Sequence, residues 1–325
     1  MSAAAPVLSV RDLRTEFHTR DGVLAAVQGV SFELARGEVL GLVGESGSGK
    51  SVTGYSILGL VDPPGRIAGG SVRLHGEELV GASEEALRRL RGRRIAMIFQ
   101  DPMMTLNPVL SIETQMVETM RAHEDCSRAQ ARDRALEVLA QVGIASPEAR
   151  LAQYPHQFSG GMRQRVAIAI ALMHRPDVII ADEPTTALDV TVQGQILHEM
   201  QRLVAETGSA LVWITHDLAV VAGLADRVAV MYAGRIVEQG RVDDVLEHPR
   251  HPYTQGLLDS VPAHNPVGQR LRQIPGMAPS LKRLDAGCAF RPRCQRADAA
   301  CEAMPELVPV GAQWARCRHP LEPAS

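Results

Sequence analysis

One eight-residue segment constrains the fold of this chain more than any other. It begins at Gly44 and ends at Ser51, with the glycine, lysine and serine spacing of a phosphate-binding loop. The apolar run Val39–Val43 comes directly before it and indicates a buried strand, and the sequence after it is compatible with a helix. This context disfavours the alternative, a chance glycine-rich turn. Strand, loop and helix in this order predict an α/β fold with an open sheet.

The residues of this loop have separate expected tasks. The glycines carry no Cβ, so backbone N–H groups can converge on phosphate oxygens, aided by the positive end of the following helix. Lys50 would neutralise charge on the β- and γ-phosphates, and Ser51 would coordinate Mg²⁺. The candidate nucleotide-binding residues here are Gly44, Ser46, Gly47, Ser48, Gly49, Lys50 and Ser51.

Three further apolar runs predict buried strands of the same sheet, and each precedes a polar residue suited to catalysis. The runs are 95–99, 178–181 and 210–214, and the polar residues are Gln100, Asp182 with Glu183, and His216. Ligands of an open α/β sheet lie beyond the carboxyl ends of its strands, so these side chains are candidates for the active site.

We expect these side chains to divide the work of phosphoryl transfer. Asp182 would hold Mg²⁺ through water, and Glu183 would polarise the attacking water. His216 would contact the γ-phosphate and orient the water, while Gln100 would reach both Mg²⁺ and the water. Alone, an acidic pair is more often solvated and a histidine more often structural, so their position at strand ends carries the assignment.

A second glycine-containing segment precedes another predicted helix, at residues 163–173. It consists of Ser159, Gly160, Gly161 and Met162. A serine and two glycines at a helix start form an anion-binding end, and a simple helix cap is the alternative.

The remaining pattern predicts several parts around this sheet. Residues 8–17 and 30–34 indicate antiparallel strands, and 228–232 with 235–238 indicate a hairpin. Between Gln100 and Ser159 the pattern becomes helical, with one apolar face made by Ala131, Ala135, Val138, Leu139 and Val142. We therefore predict a nucleotide-binding domain over residues 1–245, with a helical subdomain at about 101–160, and a C-terminal extension over 246–325.

Charge and hydropathy exclude several classes of protein. The net charge is −3 and the pI is near 6.4, which disfavours a general nucleic-acid binder. There is no apolar run of about 18 residues that would span a bilayer, and the N-terminus lacks the pattern of a secretory signal. We expect the cytosol as the compartment.

Together these motifs resemble the nucleotide-binding subunit of ABC transporters, over residues from about 7 to 245. In that family the Gly44 loop is the Walker A motif, Gln100 the Q-loop glutamine and His216 the H-loop histidine. The signature motif matches Ser159 to Met162, where the commonest version has glutamine in place of Met162. Val178–Asp182 matches Walker B, with Glu183 following, and Ala187 to Asp189 match the D-loop. Phe17 matches the aromatic residue that stacks on adenine, and a core phenylalanine is the alternative.

The resemblance implies a head-to-tail pair of such domains that hydrolyses ATP. Ser159 and Gly161 of one domain would face the γ-phosphate held by Lys50 of the other. A soluble ABC-type ATPase acting on nucleic acid or ribosomes is disfavoured by the single domain and short helical insertion. A non-catalytic regulatory module is disfavoured because Glu183 and His216 are both present.

Four of the five cysteines crowd the end of the chain, at Cys288, Cys294, Cys301 and Cys317, whereas Cys126 stands alone. In a cytosolic protein such a group suggests a metal site before disulfides. The spacing lacks the short paired pattern of common zinc sites, so the residues alone do not decide between zinc and iron.

This tail resembles the C-terminal extension of oligopeptide and dipeptide importer ATPases, through His251 to Thr254 and the four cysteines. The resemblance implies a [4Fe–4S] cluster, with Zn²⁺ and free buried thiols as alternatives.

The same resemblance implies a peripheral ATPase on the cytoplasmic face of the inner membrane. Its partners would be a second, paralogous ATPase subunit, two integral permease subunits and an external substrate-binding protein, without nucleic acid. A groove near Asp101 to Pro108 would receive the permease, or this segment is a plain loop. The expected cargo is di- or oligopeptides, with nickel or metal chelates as the alternative.

Overall fold

The computed structural model describes residues 5–186, 188–261, 272–282, 284 and 286–322. The chain divides into two compact units. The first contains the described residues of Met1–Leu8, Leu34–Glu38 and Leu74–Trp213, and the second those of Ser9–Glu33, Val39–Arg73 and Ile214–Ser325. The domain boundary near residue 245 and the helical subdomain limits stay predictions.

Strands and helices alternate along much of the chain, as an α/β fold requires. The strands are β1 (Leu8–Thr19), β2 (Gly22–Leu34), β3 (Val39–Val43), β4 (Gly65–Leu74), β5 (Glu77–Glu78), β6 (Ile95–Ile98), β7 (Val178–Asp182), β8 (Ala210–Thr215), β9 (Arg227–Tyr232), β10 (Arg235–Arg241), β11 (Val308–Val310) and β12 (Gln313–Ala315). The helices are α1 (Lys50–Ile57), α2 (Glu84–Leu90), α3 (Ile112–Arg121), α4 (Arg128–Gln141), α5 (Pro147–Leu151), α6 (Gly160–Leu172), α7 (Val190–Thr207), α8 (Leu218–Leu224), α9 (Val242–Glu247) and α10 (Pro252–Asp259).

In the first unit, buried parallel strands end close to several predicted site residues. β6 and β7 pair in parallel, from Ile95 opposite Val178 to Ile98 opposite Ala181. β8 lies beside β7. All residues of these three strands are buried, which explains their continuous apolar sequence and confirms the predicted strands.

Several helices of the first unit begin at side chains that cap their free N–H groups. At α4, Ser127 accepts from the Gln130 N–H, and the Gln130 side chain accepts from the Ser127 N–H. The same helix buries the predicted apolar face, namely Ala131, Ala135, Val138 and Leu139. The helix α7 has Asp189 as its N-cap and Gly208 as its C-cap, and the φ of 66° at Gly208 is left-handed.

In the second unit, β3 pairs in parallel with β9, which forms an antiparallel hairpin with β10. β12 pairs with β10, so the C-terminal part of the chain extends this sheet. A separate sheet places β1 between β2 and β4. The predicted strands are confirmed, although β2 begins at Gly22 and not near Val30. Its first half is partly exposed and therefore shows no continuous apolar run.

Among the described residues, no helix combines the length and apolar character needed to cross a membrane.

Candidate functional site

In the second unit, the predicted phosphate loop connects β3 to α1. Gly44 has φ 158° and Gly49 has φ 101°. A Cβ on Gly44 would lie 2.2 Å from the Met231 carbonyl oxygen, and one on Gly49 would lie 2.4 Å from that of Ala26. Both positions therefore require glycine, for conformation and for space, because the loop is pressed against neighbouring backbone.

Two polar side chains of this loop, those of Lys50 and Ser48, are buried. Lys50 is only 4% exposed, and its Nζ donates to the carbonyl oxygens of Gly44 at 2.8 Å and Glu45 at 3.0 Å. Ser48 Oγ is buried and has no hydrogen-bond partner among the described residues. A buried cation and an unpartnered hydroxyl in a glycine loop fit the phosphates of a nucleotide.

The β9–β10 turn supports the loop from outside. The Gly234 N–H donates to the Ser48 carbonyl at 2.9 Å. The sequence indicates this turn, but it carries no signal that the turn contacts the phosphate loop. The contact joins positions far apart in the chain.

Two more predicted residues lie in the second unit. His216 directly follows β8 and is exposed. Phe17 is half-buried in β1 and lies against Gly65, whose hypothetical Cβ would be 2.7 Å from the Phe17 ring. A half-buried ring retains one accessible portion, so both the adenine-stacking and the core interpretations of Phe17 stay predictions.

In the first unit, the parallel pairing of β6 with β7 brings Gln100 and Glu183 together. Gln100 Nε2 lies 3.5 Å from Glu183 Oε2, at the outer limit of a hydrogen bond. Asp182 is 1% exposed, whereas Glu183 is half-buried. The Asp182 carboxylate is thus enclosed at the end of β7, whereas the neighbouring Glu183 is partly exposed.

Glu183 also has an unusual backbone and an unpredicted partner. Its φ of 45° is left-handed, a region that costs a non-glycine residue energy and that often marks functional sites. Thr186 Oγ1 donates to Glu183 Oε2 at 3.0 Å. Thr186 therefore orients the Glu183 carboxylate. The residue type and position of Thr186 in the sequence did not predict this contact.

The signature segment lies at the start of α6, also in the first unit. Ser159 is the N-cap, and its Oγ accepts from the Met162 N–H at 3.3 Å. Ser159 and Gly160 are exposed, while a Cβ on Gly161 would lie 2.8 Å from Val192 of α7. The helix-cap interpretation is correct, and the exposed N-terminus can also face an anion. Of the D-loop residues, Ala187 lies outside the described residues.

The segment after Gln100 is a short 3₁₀ turn that presents apolar side chains to solvent. Met103, Met104 and Val109 are 37%, 76% and 76% exposed. Gln115 of α3 holds the segment, since its side chain accepts from the Asn107 N–H at 2.8 Å and donates to the Asn107 carbonyl at 3.0 Å. The segment is thus ordered by α3 while its apolar side chains stay uncovered.

The four C-terminal cysteines line one small cavity in the second unit, with His251, Phe290 and His319 among the other lining residues. All four are free thiols. Cys294 Sγ accepts from the Arg296 N–H at 3.4 Å, and Cys317 Sγ accepts from the His319 N–H at 3.3 Å. Backbone N–H groups directed at sulfur stabilise thiolate and are common around metal-bound cysteines.

Burial disfavours charge on these sulfurs as long as no cation accompanies them. It raises the pKa of Cys317 to about 11, with a further contribution from the other three cysteines. It also raises the pKa values of Cys288 and Cys294. Grouped thiols of this kind suit a metal, because a metal ion favours the thiolate.

The sulfurs are not the only potential ligands of the cavity. Among the described residues, one set of ligand atoms lies within 4.8 Å of one another, and it comprises Asp298, Cys301 and His319. His319 Nε2 lies 2.9 Å from Asp298 Oδ2. Cys301 and His319 of this set line the cavity, so the potential ligands there include nitrogen as well as sulfur.

Comparison with known proteins gives two family matches. The family model described as "ABC transporter" matches residues 27–186, and the model described as "Oligopeptide/dipeptide transporter, C-terminal region" matches residues 237–301. The second match includes three of the four clustered cysteines, Cys288, Cys294 and Cys301.

Several curated relatives resemble almost the whole chain. The oligopeptide transport ATP-binding protein OppD of Bacillus subtilis is 51% identical over 87% of this chain and 80% of its own length. The protein of the same name from Escherichia coli is 49% identical over 88% of this chain and 84% of its own length.

Among solved structures, the ATP-binding cassette MJ0796, in a dimeric post-hydrolysis state bound to ADP and Pi, has a TM-score of 0.65 and 26% identity. The match covers 72% of this chain and 98% of that one.

Proposed function

Since this chain belongs to the family of ABC transporter ATP-binding subunits of the oligopeptide type, we propose that it hydrolyses ATP to drive peptide import. The main support for ATP hydrolysis is the phosphate loop. The neighbouring backbone leaves no room for a side chain at Gly44 or Gly49, and Lys50 is buried. The names of the relatives favour peptide over nickel or metal-chelate cargo.

The residues of the site have complementary roles in this proposal. The loop N–H groups and Lys50 bind the phosphates, and Phe17 stacks on adenine. Ser51, Gln100 and Asp182 suit Mg²⁺, which supplies charge neutralisation between the phosphates. Glu183 orients and polarises the attacking water, with its carboxylate directed by Thr186. His216 contacts the γ-phosphate. Positioning and electrostatics are sufficient for this chemistry.

The exposed signature segment supports hydrolysis at an interface between two ATPase subunits. Ser159 and the N-terminus of α6 direct a partial positive charge outward, which suits the γ-phosphate held by a second subunit. The similar MJ0796 structure is dimeric. We propose a distinct paralogous chain as the second subunit, with closure driven by ATP binding and reopening by product release.

The apolar segment after Gln100 supports attachment to integral membrane partners. Met103, Met104 and Val109 present an apolar surface that a short permease helix would cover. We therefore place the protein peripherally, on the cytoplasmic face of the inner membrane, with two permease subunits and an external substrate-binding protein. This arrangement requires no nucleic acid.

The four clustered cysteines support a structural metal site. Cys288, Cys294, Cys301 and Cys317 would hold a [4Fe–4S] cluster, and Zn²⁺ is the alternative. The backbone N–H groups directed at two of the sulfurs support this assignment. A metal here would stabilise a small extension with little regular structure, since small cores need such support.

Uptake of labelled peptides by a deletion strain tests the cargo. Complementation with the wild-type gene is expected to restore import of di- or longer peptides, whereas a Glu183→Gln gene is not. Restoration of nickel uptake without peptide uptake would contradict the peptide assignment and leave the ATPase assignment intact.

A further inference from the structure

The C-terminal extension supplies two side chains that hold the phosphate loop, and both contact Glu45. Glu45 directly follows Gly44 and is not assigned a role by the loop motif itself. Its carboxylate is paired with Arg293, and its N–H donates to the Tyr253 hydroxyl at 2.8 Å. Arg293 and Tyr253 lie more than 200 residues further along the chain, at separations of 248 and 208 positions.

The pair between Arg293 and Glu45 has the geometry of a strong ionic contact. Arg293 Nη1 lies 2.6 Å from Glu45 Oε2, and Nη2 lies 3.0 Å from Oε1. The Arg293 side chain is 5% exposed and that of Glu45 is 30% exposed. Two parallel bonds between buried or half-buried charges restrict both side chains, unlike an exposed pair.

Further contacts of Arg293, beyond the Glu45 pair, restrict the guanidinium. Nε donates to the Pro275 carbonyl at 2.9 Å, and Nη1 lies 3.3 Å from the Tyr232 hydroxyl. The guanidinium carbon lies 5.8 Å from the centre of the Tyr232 ring and 6.0 Å from that of Phe290. A lysine would not reproduce these contacts, because they require a planar group with several donors.

Tyr253 is held equally firmly. It is 0% exposed and packs on Tyr232 and Phe290, with ring centres 4.5 Å and 5.5 Å away. The extension therefore presents a rigid aromatic and cationic surface to Glu45.

These contacts bear on nucleotide binding through the Glu45 peptide. Its carbonyl accepts from Lys50 Nζ at 3.0 Å and from the Ser48 N–H at 3.2 Å. The N–H, carbonyl and carboxylate of one loop residue are thus all fixed, and Arg293 and Tyr253 fix two of the three. A displaced Glu45 would alter the orientation of the loop N–H groups and of Lys50.

We propose that Arg293 and Tyr253 are positioning residues for ATP, which hold Glu45 so that the phosphate loop is preformed for the nucleotide. The proposal rests on the ATPase function proposed above, and it makes the extension part of the nucleotide site. Preforming a loop raises affinity because less ordering accompanies binding.

The test is the affinity of the purified full-length chain for a non-hydrolysable ATP analogue, AMP-PNP with Mg²⁺, measured by titration calorimetry. Arg293→Gln and Glu45→Gln are each expected to raise Kd about tenfold. The double variant is expected to be no weaker than either single variant, because both remove one shared interaction. Tyr253→Phe removes the acceptor for the Glu45 N–H and is expected to raise Kd about threefold.

Lys282→Gln is the matched control. Lys282 also joins the extension to an earlier part of the chain, through Asp21 at 3.0 Å, but this pair is largely exposed and does not contact the phosphate loop. Its removal is expected to leave Kd unchanged.

Thermal unfolding of each variant separates positioning from stability. If Arg293→Gln and Glu45→Gln bind AMP-PNP within twofold of wild type, or if Lys282→Gln weakens binding equally, the proposal is wrong. Should Arg293→Gln fail to fold, Glu45→Gln and Tyr253→Phe decide alone. A wild-type chain that does not bind the analogue would instead contradict the ATPase function.

Discussion

At the scale of single residues, the site combines local motifs with partners that no motif contains. Gly44, Gly49 and Lys50 are recognisable from spacing, because the chemistry of a phosphate loop depends on consecutive residues. Glu183 is recognisable from its place after a buried strand. The contact from Thr186 that directs its carboxylate, and the left-handed φ of Glu183, became visible only in three dimensions.

Glu183→Gln tests the catalytic role. The amide keeps the shape and the Thr186 contact but cannot polarise water as a carboxylate does, so turnover is expected to fall at least about 100-fold with ATP affinity retained. Together with the second ATPase subunit, the variant should also accumulate as a closed dimer in ATP. Phosphate release assays and size-exclusion chromatography measure these effects. Glu148→Gln, on the exposed face of α5, is the control, and undiminished turnover in Glu183→Gln would contradict the role.

At the scale of elements, most strands and helices followed from periodicity. β6, β7 and β8 are continuous apolar runs because they are buried. The sequence of α4 has an apolar face because one side of the helix is packed. The predicted length of β2 was too short, because the first half of this strand is partly exposed. The segment after Gln100 could not be assigned from sequence, since its proline and apolar residues suit either a turn or a docking surface.

Met104→Glu tests the docking surface. A charge at this 76% exposed position should weaken attachment to the permease by desolvation, with AMP-PNP affinity and thermal stability unchanged. Co-purification with the permease pair measures the effect. Met277→Glu, at an 89% exposed position in the extension, is the control. A Met104→Glu complex that assembles and transports normally would exclude this segment from the interface.

At the scale of the whole molecule, the C-terminal extension is joined to the nucleotide-binding part of the second unit. β12 pairs with β10, and Arg293 and Tyr253 contact the phosphate loop. The same extension gathers four cysteines around one cavity. The metal proposed for these cysteines would hold the thiols together in a segment of short helices and strands.

Cys317→Ser tests the metal. Iron or zinc per chain is expected to fall by more than half in anaerobically purified protein, and Tm to fall by about 2–6 °C, since a metal ligand is lost. Elemental analysis and thermal unfolding measure both effects. Cys126→Ser is the control, because Cys126 is not among the residues that line the cavity. Wild-type protein with neither metal above background would contradict the metal site.

The sequence by itself determined the order of strand, loop and helix, the ATP motifs and the apolar faces. These features depend on glycine conformation, on residue spacing and on periodicity within a few turns of chain. The sequence also showed the cysteine group. It did not identify the metal proposed for it, because the spacing of the cysteines does not select one metal.

The tertiary structure alone decided which distant residues meet. Gln100 reaches Glu183 across 83 positions because β6 and β7 pair in parallel. Arg293 reaches Glu45 across 248 positions because the extension packs its aromatic residues beside the loop. Such contacts depend on packing and not on local pattern, so no motif indicated that Arg293 and Tyr253 contact the phosphate loop.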